Sequence, residues 1–223
     1  MRKNLILFFV CILSLNSFSQ GHITHLDDYD EKPMHYGFVL GLNHSWFSIK
    51  TSPNAFSNQI INDKPAWGFS VGLAATYQPA ELLAIRLSPT AVFGQRIIQF
   101  QNAITQQITE KVVETTIADF PLMLKIKSLR RHNARMFMIA GIKPHFSLGT
   151  KLSQEPERIR IRNTGFSVEY GFGIERFYEM FKFAPEIRFT HTFGNLLIPD
   201  DNQFSSQIRS LSSHSVSVYL FFE

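Results

Sequence analysis

The sequence predicts an all-β chain, an eight-stranded antiparallel up-and-down transmembrane β-barrel over residues 35–223. Three observations carry this. Apolar residues fall on every second position in eight separate stretches, the period of a strand whose two faces differ. The connections between stretches alternate short and long, as they do in a barrel that turns alternately on the two sides of a membrane. An N-terminal stretch with the features of an export signal precedes the strands.

That first stretch, "MRKNLILFFVCILSLNSFSQ", starts with Arg2 and Lys3 and runs through apolar residues 5–15, too short to span a bilayer as a helix. Ser17 and Ser19 form the small-x-small pattern of a cleavage site, so residues 1–19 read as a signal peptide cut after Ser19. Cys11 is the only cysteine and lacks the small residues that precede a lipidated cysteine. The mature chain is therefore expected to carry no disulfide, thiolate metal site or cysteine nucleophile. Residues 20–34, "QGHITHLDDYDEKPM", read as a polar periplasmic lead-in. His22, His25, Asp27, Asp28 and Asp30 match no standard ligand spacing, so a solvated tail is expected rather than a metal site.

The first predicted strand, 35–47, sets Tyr36, Phe38, Leu40 and Leu42 against Gly37, Gly41 and Asn43. The second, 66–77, sets Trp67, Phe69, Val71, Leu73 and Tyr77 against Gly68, Ser70, Gly72 and Thr76. In the third, 83–93, Leu83, Ile85, Leu87 and Phe93 oppose Arg86, Ser88 and Thr90. The fourth, 112–126, has Ala118, Phe120, Leu122, Leu124 and Ile126 opposite Asp119 and Lys125. The fifth, 136–148, has Ile142, Phe146 and Leu148 opposite Gly141, Lys143, His145 and Ser147. The sixth, "FSVEYGFGIERFY" (166–178), alternates Phe166, Val168, Tyr170, Phe172 and Ile174 with Ser167, Glu169, Gly171, Gly173 and Glu175. The seventh, 183–193, alternates Phe183, Ile187, Phe189 and Phe193 with Glu186, Arg188 and Thr190, and the eighth, 215–222, Val216, Val218, Leu220 and Phe222 with Ser215 and Ser217. Connections at 78–81, 128–133 and 179–181 are short; those at 49–64, 99–111, 150–163 and 194–213 are long. The short ones belong on the periplasmic side with both termini.

Alternation alone also fits a soluble sandwich or lipocalin. The export signal, strands of about ten residues or more, and aromatics near strand ends favour a membrane. Those aromatics are Tyr36, Trp46, Phe47, Trp67, Tyr77, Phe146, Tyr178, Phe181, Phe193 and Phe222. Charged residues are 18% of the chain, against about 25% in ordinary domains, and the polar face is correspondingly small and glycine-rich. The apolar face then meets lipid and the polar face fills the interior. Mid-strand charges on that face balance: Arg86, Lys125, Lys143 and Arg188 against Asp119, Glu169, Glu175 and Glu186. A narrow lumen filled by their ion pairs is expected, because a buried charge without a partner is costly. Glu169 and Glu175 are expected to meet cations such as Lys143 and Arg188, with Gly171 and Gly173 making room.

The net charge of +4 is too mild to argue for nucleic acid, and no apolar helix follows the N-terminal stretch. No cofactor, metal or small-molecule substrate is expected. A basic turn, Arg130, Arg131 and Arg135, offers a periplasmic docking surface for an acidic partner. "RIRIR" (Arg158, Arg160, Arg162) offers an outer loop that could meet lipopolysaccharide phosphates. His44–Ser45, His191 and Ser213–His214 are candidates, by residue type alone, for lipid-modifying chemistry at the outer rim.

Several stretches resemble, in order, the PorT family of outer-membrane β-barrels: "HLDDYDEKPMHYGFVLGLN", "LSPTAVFGQRIIQF", "ADFPLMLKIKSLRRHNARMFMIAGIK" and "FKFAPEIRFTHTFGNLL". The resemblance covers most of the mature chain and departs from the family at "ARMFMIAG". It implies an outer-membrane location and a non-enzymatic role in type IX protein secretion, a system linked to gliding motility. The expected partners are outer-membrane lipid, lipopolysaccharide and other secretion-system proteins. A lipid-modifying enzyme and a small structural barrel unrelated to secretion stay open as alternatives.

Overall fold

In a computed structural model of the chain, the structure describes residues 25–51, 59–102, 108–150, 164–194 and 208–223. The predicted signal peptide, the start of the lead-in and the "RIRIR" segment lie outside them. A single 3-10 turn, Asp27–Tyr29, leads into eleven strand segments. These are β1 (Met34–Thr51), β2 (Gln59–Lys64), β3 (Ala66–Ala80), β4 (Leu83–Leu87), β5 (Thr90–Asn102), β6 (Ile108–Asp119), β7 (Leu122–Lys127), β8 (Ala134–Thr150), β9 (Thr164–Phe177), β10 (Lys182–Phe193) and β11 (Ile208–Phe222).

The eleven segments make eight staves. β2 and β3 part at Pro65, β4 and β5 at Ser88–Pro89, and β6 and β7 at Phe120–Pro121. Proline has no N–H to give a ladder, so each proline interrupts its stave without turning it. Every stave pairs antiparallel with both neighbours, and β1 closes the ring on β11 from Phe38↔Phe222 to Thr51↔Ile208. The two other closing contacts, β8 with β9 and β3 with β5, leave no stave unpaired on either side.

Strand extends into the predicted long connections. β5 and β6 pair out to Gln101↔Ile108, and β1 continues to Thr51. An 18-residue strand is about 59 Å long, more than a tilted span needs, so the hairpins on the long-connection side extend beyond the membrane.

The inside–outside assignment is as the alternation predicts. Tyr36, Phe38, Leu40, Leu42, Trp67, Phe69, Leu73, Leu122, Leu124, Ile126, Phe166, Tyr170, Phe172 and Ile174 lie exposed on the outer wall. Arg86, Lys125, Lys143, Glu169, Glu175, Glu186 and Arg188 are buried inside. Phe47 is a correction: it is buried, so it faces the interior rather than an interfacial girdle. The interior also holds an apolar cluster of Val39, Ala74, Met123, Phe137, Ile139, Ala184, Tyr219 and Phe221.

Glycines let a barrel this narrow hold long side chains. Gly171 is the ladder partner of Arg188, and Gly173 that of Glu186. A Cβ on Gly171 would lie 2.1 Å from the Ile187 carbonyl oxygen, and one on Gly173 would lie 2.5 Å from the Phe137 ring. They make room, but for a neighbouring backbone and a ring as much as for a cation.

Candidate functional site: a charged lumen

Inward positions on five of the staves, with Glu223 just after β11 and Asp30 of the lead-in, bring the charged side chains together. Asp119 meets Lys143 at 3.2 Å, and Lys143 meets Glu169 at 3.2 Å. Arg188 reaches Glu169 at 2.9 Å and also binds Glu186. Arg86 bridges Glu186 at 3.2 Å and Glu223 at 3.0 Å. Lys182 joins Glu223 to Glu175, the latter at 3.1 Å. Glu175 takes Lys125 and Arg135 as well, and Arg135 ends the chain on Asp30 at 2.8 Å. The result is one connected network of six cations and six carboxylates, equal in number so that the network itself carries no net charge.

Hydroxyls and ring faces fill the remaining bonding directions. Thr190 donates to Glu169 at 2.8 Å, and Thr76 donates to Glu223 at 2.9 Å while accepting from Arg86 Nε at 3.1 Å. Arg86 lies 4.2 Å from the Phe221 ring centroid, Arg188 4.6 Å from Tyr219 and Lys125 3.7 Å from Phe137. Such cation–π contacts strengthen where water is excluded.

The eight charges singled out in the sequence all belong to this network, and Glu169 pairs with Lys143 and Arg188 as expected. Glu175 does not; it pairs with Lys125, Arg135 and Lys182 because it sits nearer the short-turn end, where Arg135 is its ladder partner. Sequence reading missed Lys182, Glu223, Arg135 and Asp30 as network members. Lys182 and Glu223 lie at strand ends, outside any alternating run. Their mutual backbone hydrogen bonds, 2.6 and 2.9 Å, extend the β10–β11 pairing by one more residue.

The lead-in is a second correction. Described residues 25–30 form a strap docked in the mouth at the short-turn end of the barrel rather than a solvated tail. The Tyr29 ring stacks on His35 at 3.8 Å and meets Phe177 edge-on at 5.6 Å. Its hydroxyl donates to Glu223 at 3.1 Å, and Lys182 sits 4.5 Å from its centroid. Burial, then the nearby Glu223 carboxylate, raises the Tyr29 phenol well above its ordinary range. Burial would also raise the Glu223 carboxyl, but Arg86 and Lys182 outweigh it and hold that carboxyl far below the usual carboxylate range.

The basic docking turn is the third correction. Arg135 is buried in the lumen, its guanidinium committed to Glu175 and Asp30. Arg130 folds back over the Phe177 ring at 3.8 Å and donates to the His25 carbonyl and, at 3.2 Å, to the Leu26 carbonyl. Of the three arginines, Arg131 alone is exposed. His44–Ser45 and Ser213–His214, candidates by residue type, are sequence neighbours on β1 and β11. Neighbours on one strand point to opposite faces: Ser213 is buried inside while His214 lies on the outer wall. Among the described residues no group of three or more His, Cys, Asp or Glu is placed to hold a metal.

A family model described as outer membrane protein beta-barrel domain matches residues 18–197. No curated protein matches the chain. Among solved structures it is similar to OprG from Pseudomonas aeruginosa, with a TM-score of 0.49 and 9% identity over 84% of this chain and 92% of that one. It is similar to Neisserial surface protein A, with a TM-score of 0.47 and 9% identity over 85% and 98%. It also matches Ail, the attachment invasion locus protein of Yersinia pestis, with a TM-score of 0.36 and 9% identity over 86% and 98%. The family model spans well over half of the sequence, and the closed antiparallel ring is a β-barrel, as its description says. The chain belongs to the outer membrane protein β-barrel domain family.

Proposed function

We propose that this outer-membrane barrel is a non-enzymatic, non-conducting component of type IX protein secretion, acting through surfaces that touch partner proteins and lipid. The observation that carries the non-conducting part is the dryness of the network. Arg86, Lys125 and Glu169 have 0% exposure and Arg188 has 1%. A side chain lining a water-filled channel keeps surface open to water, and these keep none. An eight-stranded barrel has room for side chains and little else. Support for the secretion role comes from the ordered resemblance of four stretches to PorT barrels. In this reading the leader is removed after Ser19, the chain takes no cofactor, and its partners are secretion-system proteins and lipopolysaccharide.

The test is deletion of the gene followed by comparison of culture supernatants for cargo with C-terminal sorting domains, and of colony spreading where the host glides. Loss of that cargo is expected; normal secretion sinks the secretion role and leaves the barrel intact. Planar-bilayer recording of the purified protein checks the other half. A steady, selective conductance would overturn the non-conducting reading.

A further inference from the structure

The outer wall carries a belt of six rings that the lumen network does not explain. Tyr170 on β9, His191 on β10, His214 on β11, Trp46 and His44 on β1, and Trp67 on β3 follow one another around the barrel. Their successive ring centroids are 5.8, 5.0, 6.2, 6.1 and 4.5 Å apart. Trp46 and Tyr36 share the outward face of β1 ten residues apart. At about 3.3 Å per residue and a tilt near 40°, that is about 25 Å along the membrane normal. The belt therefore lies at the outer edge of the apolar wall, at the depth of outer-leaflet headgroups.

Tryptophan and tyrosine alone would make an ordinary girdle. Here three histidines interleave with them, and two of these are joined by a directed hydrogen bond. His191 Nδ1 and His214 Nδ1 are 2.8 Å apart, so one ring donates and the other accepts. The Tyr170 hydroxyl lies 3.2 Å from His191 Nε2. If tyrosine donates into the chain, His191 donates to His214, and the chain ends in the Nε2–H of His214 on the lipid-facing wall. His44 Nδ1, in contact with both indoles, is enclosed without a hydrogen-bond partner. The ladder partners around these rings (Val168, Phe189, Val216 and Ala140) carry no carboxylate. These described ladder partners therefore offer the His214 Nε2–H no charged acceptor. Outside this wall, at this depth, lies lipid.

We propose that this belt binds the phosphorylated headgroup of an outer-leaflet lipid, with His214 donating its Nε2–H to phosphate, His191 and Tyr170 holding that ring in the donating tautomer, and Trp46 and Trp67 packing beside the sugar or acyl stem. The site stands whether or not the barrel serves secretion. The two tryptophans of the chain both lie in the belt, so intrinsic fluorescence reports on it directly. The full chain is reconstituted in nanodiscs with increasing mole fractions of lipid A, or of the same lipid stripped of its phosphates. A saturable emission shift with the phosphorylated lipid alone is expected, weakened about tenfold in the His191→Phe/His214→Phe variant, which keeps both rings. Equal responses to the two lipids would overturn the proposal, and this comparison needs no variant to fold. An unchanged response in the double variant, its fold checked by heat-modifiable migration, would also overturn it. So would the same shift produced by inorganic phosphate alone at matched concentration.

Discussion

Replacing Glu175 with Gln isolates the worth of the lumen network, because this carboxylate holds three cations at once. Arg135 keeps Asp30 after the change, and Lys182 keeps Glu223. Lys125 has 0% exposure and loses the carboxylate it is paired with, keeping the face of Phe137. Orphaning one member of a buried pair costs about 3–5 kcal/mol. For a chain of this size each kcal/mol is about 2–4 °C, so melting should fall by roughly 6–20 °C. Urea unfolding in detergent micelles, followed by tryptophan emission and by heat-modifiable migration, measures it. Adding Lys125→Met to the variant removes the orphaned cation and should restore most of the loss. The coupling between the two positions would then exceed about 1 kcal/mol in a double-mutant cycle. A Glu175→Gln variant within about 0.5 kcal/mol of the parent would refute the idea that the network bears charge in a dry interior.

Other changes test the strap and the glycines. Tyr29→Phe removes a hydrogen bond to a carboxylate and should loosen the strap by about 1.5–3 kcal/mol, seen as faster labelling of a cysteine placed at the exposed Asp28. Because the folded-state Tyr29 pKa is raised, its contribution is complete below the unfolded value near 10 and is lost as pH rises beyond it; strap labelling should climb in alkali in the parent and stay flat in Tyr29→Phe. Glu223 has a depressed pKa, so its contribution is complete above about pH 4.3 and is lost only as pH falls below that; stability should fall less steeply with acid below pH 4.3 in Glu223→Gln, from a less stable baseline. Gly171→Ala drives a Cβ into a backbone oxygen 2.1 Å away and should cost about 1–3 kcal/mol or block assembly, whereas Gly94→Ala meets nothing nearer than 3.6 Å and should fold normally by the same migration assay. Arg130→Ala should release the strap to proteolysis while Arg131→Ala leaves cleavage unchanged.

The alternation of residues such as Phe166, Tyr170 and Phe172 with Ser167, Glu169 and Gly171 was sufficient to determine the staves and which face of each is polar. Period two is a local property, since every residue in a strand takes its face from its immediate neighbours. The sign of the burial, charges inward and rings outward, also followed from sequence, because export and turn rhythm made lipid the outer solvent. Even the balance of mid-strand charges was readable, since an unpaired ion inside a barrel is too costly to keep. Which carboxylate meets which cation was decided only by tertiary structure. Pairing across a lumen depends on strand stagger, which shifts Glu175 away from Lys143 and Arg188 and onto Lys125, Arg135 and Lys182. The strap was hidden for the same reason: "HLDDYD" has no period, and its tyrosine becomes a plug only because closure of the ring brings Glu223, Lys182, His35 and Phe177 to one mouth. The ring belt needs closure too, since its six members come from five strands scattered between positions 44 and 214, and no local pattern joins them before β1 meets β11.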